Sequence, residues 1–306
     1  MMKTALYGGV NAAVLTAMRH DLSVDLDRTA AHCHWLMANG CNGLAVMGTT
    51  GEANSLGISE RLELLDGLVG RGVPGAKMLP GTGTTAITDT VLLTKKARDI
   101  GCRGALLLPP FYYKNPSDDG LLAYFSEVID RVGGGISIYL YNFPQQSAIP
   151  FSVALFERLL KKYPTVFKGV KDSSGNFENS KSYVEAFAKD GFEVYAGDDT
   201  LLLPLLKLGA AGCITAAGNL NSSVAATVYA NWNNPAGEAA AVTLAATRKA
   251  AISVPLIPGL KAMKARLTGD AGWRYSRPPN IAITAEQQAS LFAAWDASGM
   301  TLPKAA

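Results

Sequence analysis

Apolar residues along the chain fall in short runs, each closed by glycine, proline, asparagine, aspartate or threonine. The runs are "GLAVMGTTGE" (43–52), "KMLPGTG" (77–83), "GALLLPP" (104–110), "SIYLYNFP" (137–144), "FKGVKDSSG" (167–175), "EVYAGDD" (193–199) and "GCITAAGN" (212–219). They have the length and continuity of strands covered on both faces. An earlier run, "GGVNAAVLTAM" (8–18), makes eight. The intervals carry helical patterns with start and stop residues. "DRTAAHCHWLMANG" ends on Gly40, "SERLELLDGLVGRG" follows Ser59 as a cap, "TDTVLLTKKARDIG" ends on Gly101, and "SDDGLLAYFSEVIDRVG" opens with Ser117, Asp118 and Asp119. Eight strand–helix units predict an α/β fold closed as a (β/α)8 TIM barrel. The alternative is an open doubly wound sheet, which calls for a G-x-G-x-x-G fingerprint after the first strand, and none is present.

From about residue 222 onward the pattern is helical throughout: "SSVAATVYANW", "AGEAAAVTLAATRKAAISV", "IPGLKAMKARLTG" and "TAEQQASLFAAWDASG". One of these serves as the last helix of the barrel. The division expected is a catalytic barrel over 1–230 and a small C-terminal helical bundle over 231–306, with "GWRYSRPPN" as a turn-rich link before the last helix.

Composition narrows the function. The chain has 306 residues, enough to bury a large core without staples, and its 28 basic and 25 acidic residues leave a net charge of +3. No clustered basic face points to nucleic acid. Cys33, Cys41, Cys102 and Cys213 form no C-x-x-C pair and read as reduced, buried thiols. "MMKTALYGGV" lacks the apolar run of a signal peptide, and no stretch reaches membrane-spanning length. A cytoplasmic protein that engages neither membrane nor nucleic acid is expected.

The segment "FKGVKDSSGN" (167–176) ends a short apolar strand on a lysine. Side chains of a strand alternate, so Lys171, Gly169 and Phe167 share one face and Lys168 and Val170 the other. If Val170 faces the helices, Lys171 faces the lumen at the C-terminal end of the strand, where barrels build active sites. There it is either a structural lysine paired with Asp172 or another carboxylate, or an amine with a lowered pKa that attacks carbonyls. Tyr141, at the end of "IYLYN", is either an aromatic rim residue or a proton relay beside an imine. "GTTGE" (48–52) is either a glycine turn or a pair of hydroxyls and clustered N–H groups that hold a carboxylate. All three lie at one end of the barrel.

Taken together, "GTTGE" (48–52), "PPFYYKNPSDDG" (109–120), "YNFP" (141–144), "KGVKDSSGN" (168–176) and "AGDD" (196–199) resemble the dihydrodipicolinate synthase / N-acetylneuraminate lyase family of class I aldolases over nearly the whole chain. The resemblance implies that Lys171 is the Schiff-base lysine and Tyr141 the general acid/base. It implies that Thr49 and Thr50 bind the carboxylate of pyruvate, beside Gly48, and that Thr49 also links tyrosines in a relay. Tyr113 matches the relay tyrosine that reaches a neighbouring subunit's site, and Gly197 and Ile214 match positions lining the pocket near the imine. A homo-oligomer built as a dimer of dimers is implied. No cofactor or metal is implied, because the covalent imine is itself the electron sink. Pyruvate and an aldehyde are the substrates it implies.

Two departures bear on the substrate. Family members acting on aspartate semialdehyde carry an arginine two residues beyond "YN-x-P"; here Gln146 stands there. An amide cannot make the bidentate ionic pair, which favours a hydroxylated or neutral aldehyde and a 2-keto-3-deoxy sugar-acid type aldolase. Dihydrodipicolinate synthase and a 2-keto sugar-acid dehydratase are the alternatives, and a catalytically silent keto-acid sensor is the reading from another class. Histidines that help bind feedback lysine in some relatives are replaced by Ile58 and Arg61.

Other features are read as structural. His32 and His34, two apart on a helix, point in different directions. "GTGTT" (81–85) is a strand–helix loop without a phosphate-binding pattern. Asp198 and Asp199 would repel a phosphate at the seventh strand, so unphosphorylated substrates are expected. Lys95 and Lys96 read as a solvated helix face.

Overall fold

The computed structural model describes residues 5–301. Seven parallel strands follow one another: β1 (Gly9–Ala13), β2 (Gly43–Ala45), β3 (Gly104–Leu107), β4 (Ser137–Asn142), β5 (Phe167–Asp172), β6 (Glu193–Ala196) and β7 (Gly212–Thr215). Their order around the sheet is β2-β1-β7-β6-β5-β4-β3. The run "KMLPGTG" closes the ring between β2 and β3. Leu79 and Gly81 donate to Leu44 O and Val46 O at 2.9 and 2.8 Å, while Leu106 donates to Pro80 O at 2.9 Å and Thr82 to Leu106 O at 3.0 Å. Pro80 has no N–H to give toward β3, so the ladder is reduced to isolated bridges. The eight predicted strands are thus all present, the third as a bridge pair, and the fold is the (β/α)8 barrel.

Strand exteriors pack on the helices through Leu44, Leu107, Leu140, Val170, Val194 and Cys213, all fully buried. Each large side chain buried there contributes on the order of 1.5–3 kcal/mol. All four cysteines are buried and free, and burial pushes the Cys33, Cys41 and Cys102 thiols up to about 12. The lumen is filled by Tyr139, Tyr195, Leu79, Leu106 and Ile214. The Tyr139 ring stands where a Cβ on Gly104 or Gly169 would come within 2.8 Å of it, so glycine on both neighbouring strands makes its room. Glu193 accepts from the Tyr139 and Tyr195 hydroxyls at 3.0 and 2.5 Å and from Leu6 N–H at 2.7 Å, so the carboxylate in the lumen is satisfied.

Two local expectations are corrected. Phe167 does not share the lumen face: it packs on Phe156 and Phe192 in the outer layer. The cause is a register shift, with Ile138 opposite Phe167 but Tyr139 opposite Gly169, so that Lys168 is an extra residue in β5. Ser59 is not the cap of its helix. That helix spans Ile58–Gly70 with Gly57 at the N-cap, and Glu60 accepts from Gly57 N–H at 2.9 Å. Ser117, by contrast, accepts from Gly120 N–H at 3.2 Å at the start of Asp118–Val132.

The C-terminal helices span Gly218–Ala230, Pro235–Ala251, Leu256–Thr268 and Ala285–Ala297. Among the described residues no single helix is long and apolar enough to cross a membrane. The helix Leu256–Thr268 lies against the catalytic mouth of the barrel. Its Lys261 donates to Glu52, with both side chains fully buried, and to Tyr275 O at 2.7 Å.

Candidate active site

Lys171 leaves the C-terminal half of β5 with Tyr141 of β4 opposite it in register. Its side chain is 4% exposed and its Nζ lies 4.1 Å from the centre of the Tyr141 ring. No carboxylate lies within ion-pair distance of that Nζ among the described residues. Asp172 points the other way, into the wall between β5 and its following helix. It accepts from Asn142 Nδ2 (2.8 Å), Ser174 N–H (3.0 Å), Ser174 Oγ (2.9 Å), Asn179 Nδ2 (2.9 Å) and Ser180 Oγ (2.6 Å). The structural reading in which Asp172 neutralises Lys171 is therefore set aside. Asp172 instead fixes the end of the strand that presents the lysine.

The Tyr141 hydroxyl reaches Thr49 Oγ1 at 3.5 Å, and its ring stacks on Phe143 at 5.7 Å between centres. Thr49 and Thr50 sit in a tight turn between Met47 and Glu52, both with left-handed backbone (φ 55° and 56°). Such geometry costs on the order of 1–3 kcal/mol per residue and persists only where neighbours enforce it. The neighbours here are Lys261 on the Glu52 side chain and Thr16 Oγ1, which donates to Gly51 O at 2.8 Å. Among the described residues neither Thr49 N–H nor Thr50 N–H meets a protein acceptor. The turn therefore leaves two amide donors unpaired beside two threonines that border one cavity.

A cavity of about 230 Å³ opens over Lys171. Thr49, Thr50, Tyr141, Gln146, Lys171 and Gly197 all line it. At Gly197 a Cβ would meet Ser173 Oγ at 2.1 Å and Asp172 O at 2.7 Å, so only glycine lets these two strand ends close together. The remaining expected residues lie off this wall. Gly48 borders a narrow crevice on the other side of Tyr141, with Met47 and Gly81. Ile214 is fully buried in the lumen below, against the tyrosines. Tyr113 is 79% exposed, edge-to-face with Tyr112 at 5.3 Å, and takes no part in the cavity of its own chain.

Sequence reading missed Arg248 and the segment Pro255–Pro258, which wall the cavity from the C-terminal helices together with Asn280. Arg248 Nε and Nη2 meet Asp198 Oδ2 at 3.0 and 2.9 Å. The negative charge expected at Asp198 is thus offset. Asp199 is fully buried, which raises its carboxyl to about 6; Thr215 Oγ1 donates to it at 3.0 Å. The "GTGTT" loop is knitted to its own helix: the Thr84 and Thr90 hydroxyls meet at 3.0 Å and Tyr124 donates to Thr84 O at 2.8 Å. Lys96 is not merely solvated but pairs with Asp66 at 2.5 Å.

Residues 6–297 match the Dihydrodipicolinate synthetase family. The chain belongs to that family. It is an enzyme, a lyase of the class I aldolase type, as the family's members are. Among its relatives is an uncharacterized DapA-like lyase of Chloroflexus aurantiacus, 33% identical over 94% of this chain and 96% of that protein. A 4-hydroxy-tetrahydrodipicolinate synthase of Desulforamulus reducens is 32% identical over 72% of both chains. Among solved structures, YagE of E. coli K12, a prophage protein of the dihydrodipicolinic acid synthase family solved in complex with pyruvate, superposes with TM-score 0.89 at 27% identity over 97% of this chain and all of that one. The family member from Agrobacterium tumefaciens, a dihydrodipicolinate synthase, gives 0.87 at 30% identity over 94% of this chain and 98% of that one.

Proposed function

We propose that Lys171 attacks the keto carbon of pyruvate and, with loss of water, forms an imine. The observation that carries this reading is the buried Lys171 amine, without a carboxylate partner among the described residues, facing Tyr141 and through it Thr49 across one small cavity. The protonated imine draws electrons from the adjoining methyl group, a proton leaves, and the enamine adds to the carbonyl carbon of an aldehyde. Water then returns to release a 2-keto acid, and the reverse sequence cleaves one. Tyr141 moves the protons of imine formation and of carbon–carbon bond formation, and Thr49 orients its hydroxyl. The two amides and two hydroxyls at Thr49 and Thr50 hold the pyruvate carboxylate. Tyr141→Phe is expected to fold normally and to lower kcat by roughly 10²-fold or more. Unchanged turnover in that variant would remove Tyr141 from the reaction.

Within this chemistry we favour a 2-keto-3-deoxy sugar-acid type aldolase acting on a hydroxyaldehyde. Gln146 stands on the cavity wall where a carboxylate-bearing aldehyde calls for a cation. The dihydrodipicolinate synthase reading is kept because Arg248 also reaches the wall; its pairing with Asp198 weakens its hold on a second carboxylate. Steady-state kinetics with glyceraldehyde and with aspartate semialdehyde separate the two. Wild type is expected to prefer glyceraldehyde, and Gln146→Arg to shift kcat/KM toward the semialdehyde by about tenfold, the effect of some 1.4 kcal/mol. Efficient wild-type turnover of the semialdehyde with no gain in the variant would restore the synthase reading. Tyr113 is assigned to the cavity of a neighbouring subunit: two adjacent exposed tyrosines fit a contact between copies in a dimer of dimers.

A further inference from the structure

A second cavity, of about 470 Å³, lies away from Lys171, between the helix Leu26–Ala38 and the C-terminal end of the helix Leu256–Thr268. Trp35, Trp273, His32 and Lys264 form its inner wall. Lys264 is 2% exposed, and its Nζ sits 3.8 Å from the centre of the Trp35 ring and 5.9 Å from that of Trp273. Among the described residues no carboxylate lies within ion-pair distance of this Nζ and no acceptor within hydrogen-bond distance. A buried ammonium faced by two indole rings and a neutral imidazole is short of negative charge.

The other charges around the cavity are already matched. Arg28 pairs with Asp25 at 2.5 Å and with Asp270 at 2.6 Å, Arg19 lies 3.9 Å from Asp25, and Asp27 pairs with Arg71 at 2.6 Å. His32 is buried, with Nε2 2.8 Å from Asn219 Oδ1 and Nδ1 unpartnered. Its ring packs on Trp35 and Trp273 with centres 5.9 and 5.2 Å away. The unmatched charge is thus one cation, and the walls beside it are flat and apolar. The volume suits a small organic molecule.

We propose that this cavity is a binding site for a monocarboxylate with a compact aromatic body, its carboxylate on Lys264 and its ring against Trp35 and Trp273. The site is independent of the imine chemistry. Proton linkage follows from the same geometry. Burial holds Lys264 down to about 7, and the groups facing it from the surrounding elements are His32 and Arg28 on the first helix, Asp25 and Arg19 before it, and Asp270 after its own helix. His32 is held neutral by burial and by Lys264 itself, and Arg28 is held by its two aspartates. Only protonated Lys264 attracts the anion. Affinity is therefore level below pH 7 and falls by up to about tenfold per pH unit above it.

Isothermal calorimetry and intrinsic tryptophan fluorescence with benzoate and indole-3-acetate, and with benzamide as the neutral counterpart, test this on the intact protein. The expected result is saturable binding of the carboxylates with that pH dependence, weaker and pH-insensitive binding of benzamide, and at least a tenfold loss in Lys264→Met. Lys171→Ala is expected to bind the carboxylates as wild type does, and pyruvate not to displace them. The wild-type pH profile and the benzamide comparison decide the matter without any variant. Equal affinity for benzoate and benzamide, a flat pH profile, loss of binding in Lys171→Ala, or no saturable binding would each overturn the proposal.

Discussion

Lys171→Ala is expected to yield a folded barrel that pyruvate and borohydride no longer label, with turnover down by at least about 10⁴-fold. Removal of a covalent nucleophile eliminates the route rather than weakening one contact, which is why this loss exceeds that for Tyr141. The test has a built-in rival. Lys264 is also buried, and burial holds its amine down to about 7, which makes it the other lysine to examine for label. It differs in its neighbours: two indoles and an imidazole rather than a phenol linked to a threonine hydroxyl. Mass spectrometry of the reduced, digested protein therefore settles more than the presence of an adduct. Label on the peptide carrying Lys171 is the expected outcome, and label that persists in Lys171→Ala on the peptide carrying Lys264 would displace the assignment.

The largest expected stability loss is at Lys261. Lys261→Met leaves the Glu52 carboxylate buried with Arg277 N–H, at 2.9 Å, but without its cation. An uncompensated buried charge costs about 3–5 kcal/mol. The loss spreads, because the same region is held by Arg277, which pairs with Glu60 and donates to Ser55 O at 2.7 Å and Leu22 O at 2.9 Å. The urea midpoint should fall accordingly, with KM for pyruvate rising as the strained turn at Thr49 and Thr50 relaxes. Adding Glu52→Gln to Lys261→Met should recover part of the stability, since no charge then remains buried alone. A single variant within about 1 kcal/mol of wild type would show that water reaches the pair.

What could be read from the sequence and what could not divides along physical lines. Strands covered on both faces are continuous apolar runs, so all eight were visible, even the one that Pro80 thins to bridges. Alternation placed Lys171 correctly because Gly169 and Lys171 lie on the same side of the irregularity; it failed for Phe167 because an extra residue, Lys168, intervenes, and no local signal marks a register shift. The helix start at Ile58 was misread at Ser59 because Gly57 caps it through the side chain of Glu60. Arg248 and Lys261 were invisible for a different reason. Their partners, Asp198 and Glu52, are 50 and 209 residues away in the chain. Nothing in a lysine within "IPGLKAMKAR" distinguishes a buried cation from a solvated one. Likewise, Lys264 sits three residues beyond Lys261 and is buried on a different neighbour.

The wall formed by Pro255–Pro258 and Asn280 has a consequence for descent. The amine, the phenol and the paired threonines are carried by barrel strands and the turn that follows β2, whereas much of what a second substrate would touch comes from a later stretch of chain. On the reading proposed above, exchange of residues in that later stretch would alter which aldehyde fits while the strands that carry the amine and the phenol stay as they are. The buried Glu52–Lys261 pair joins the two stretches, so a change on either side has to preserve that tie for the threonine turn to keep its place.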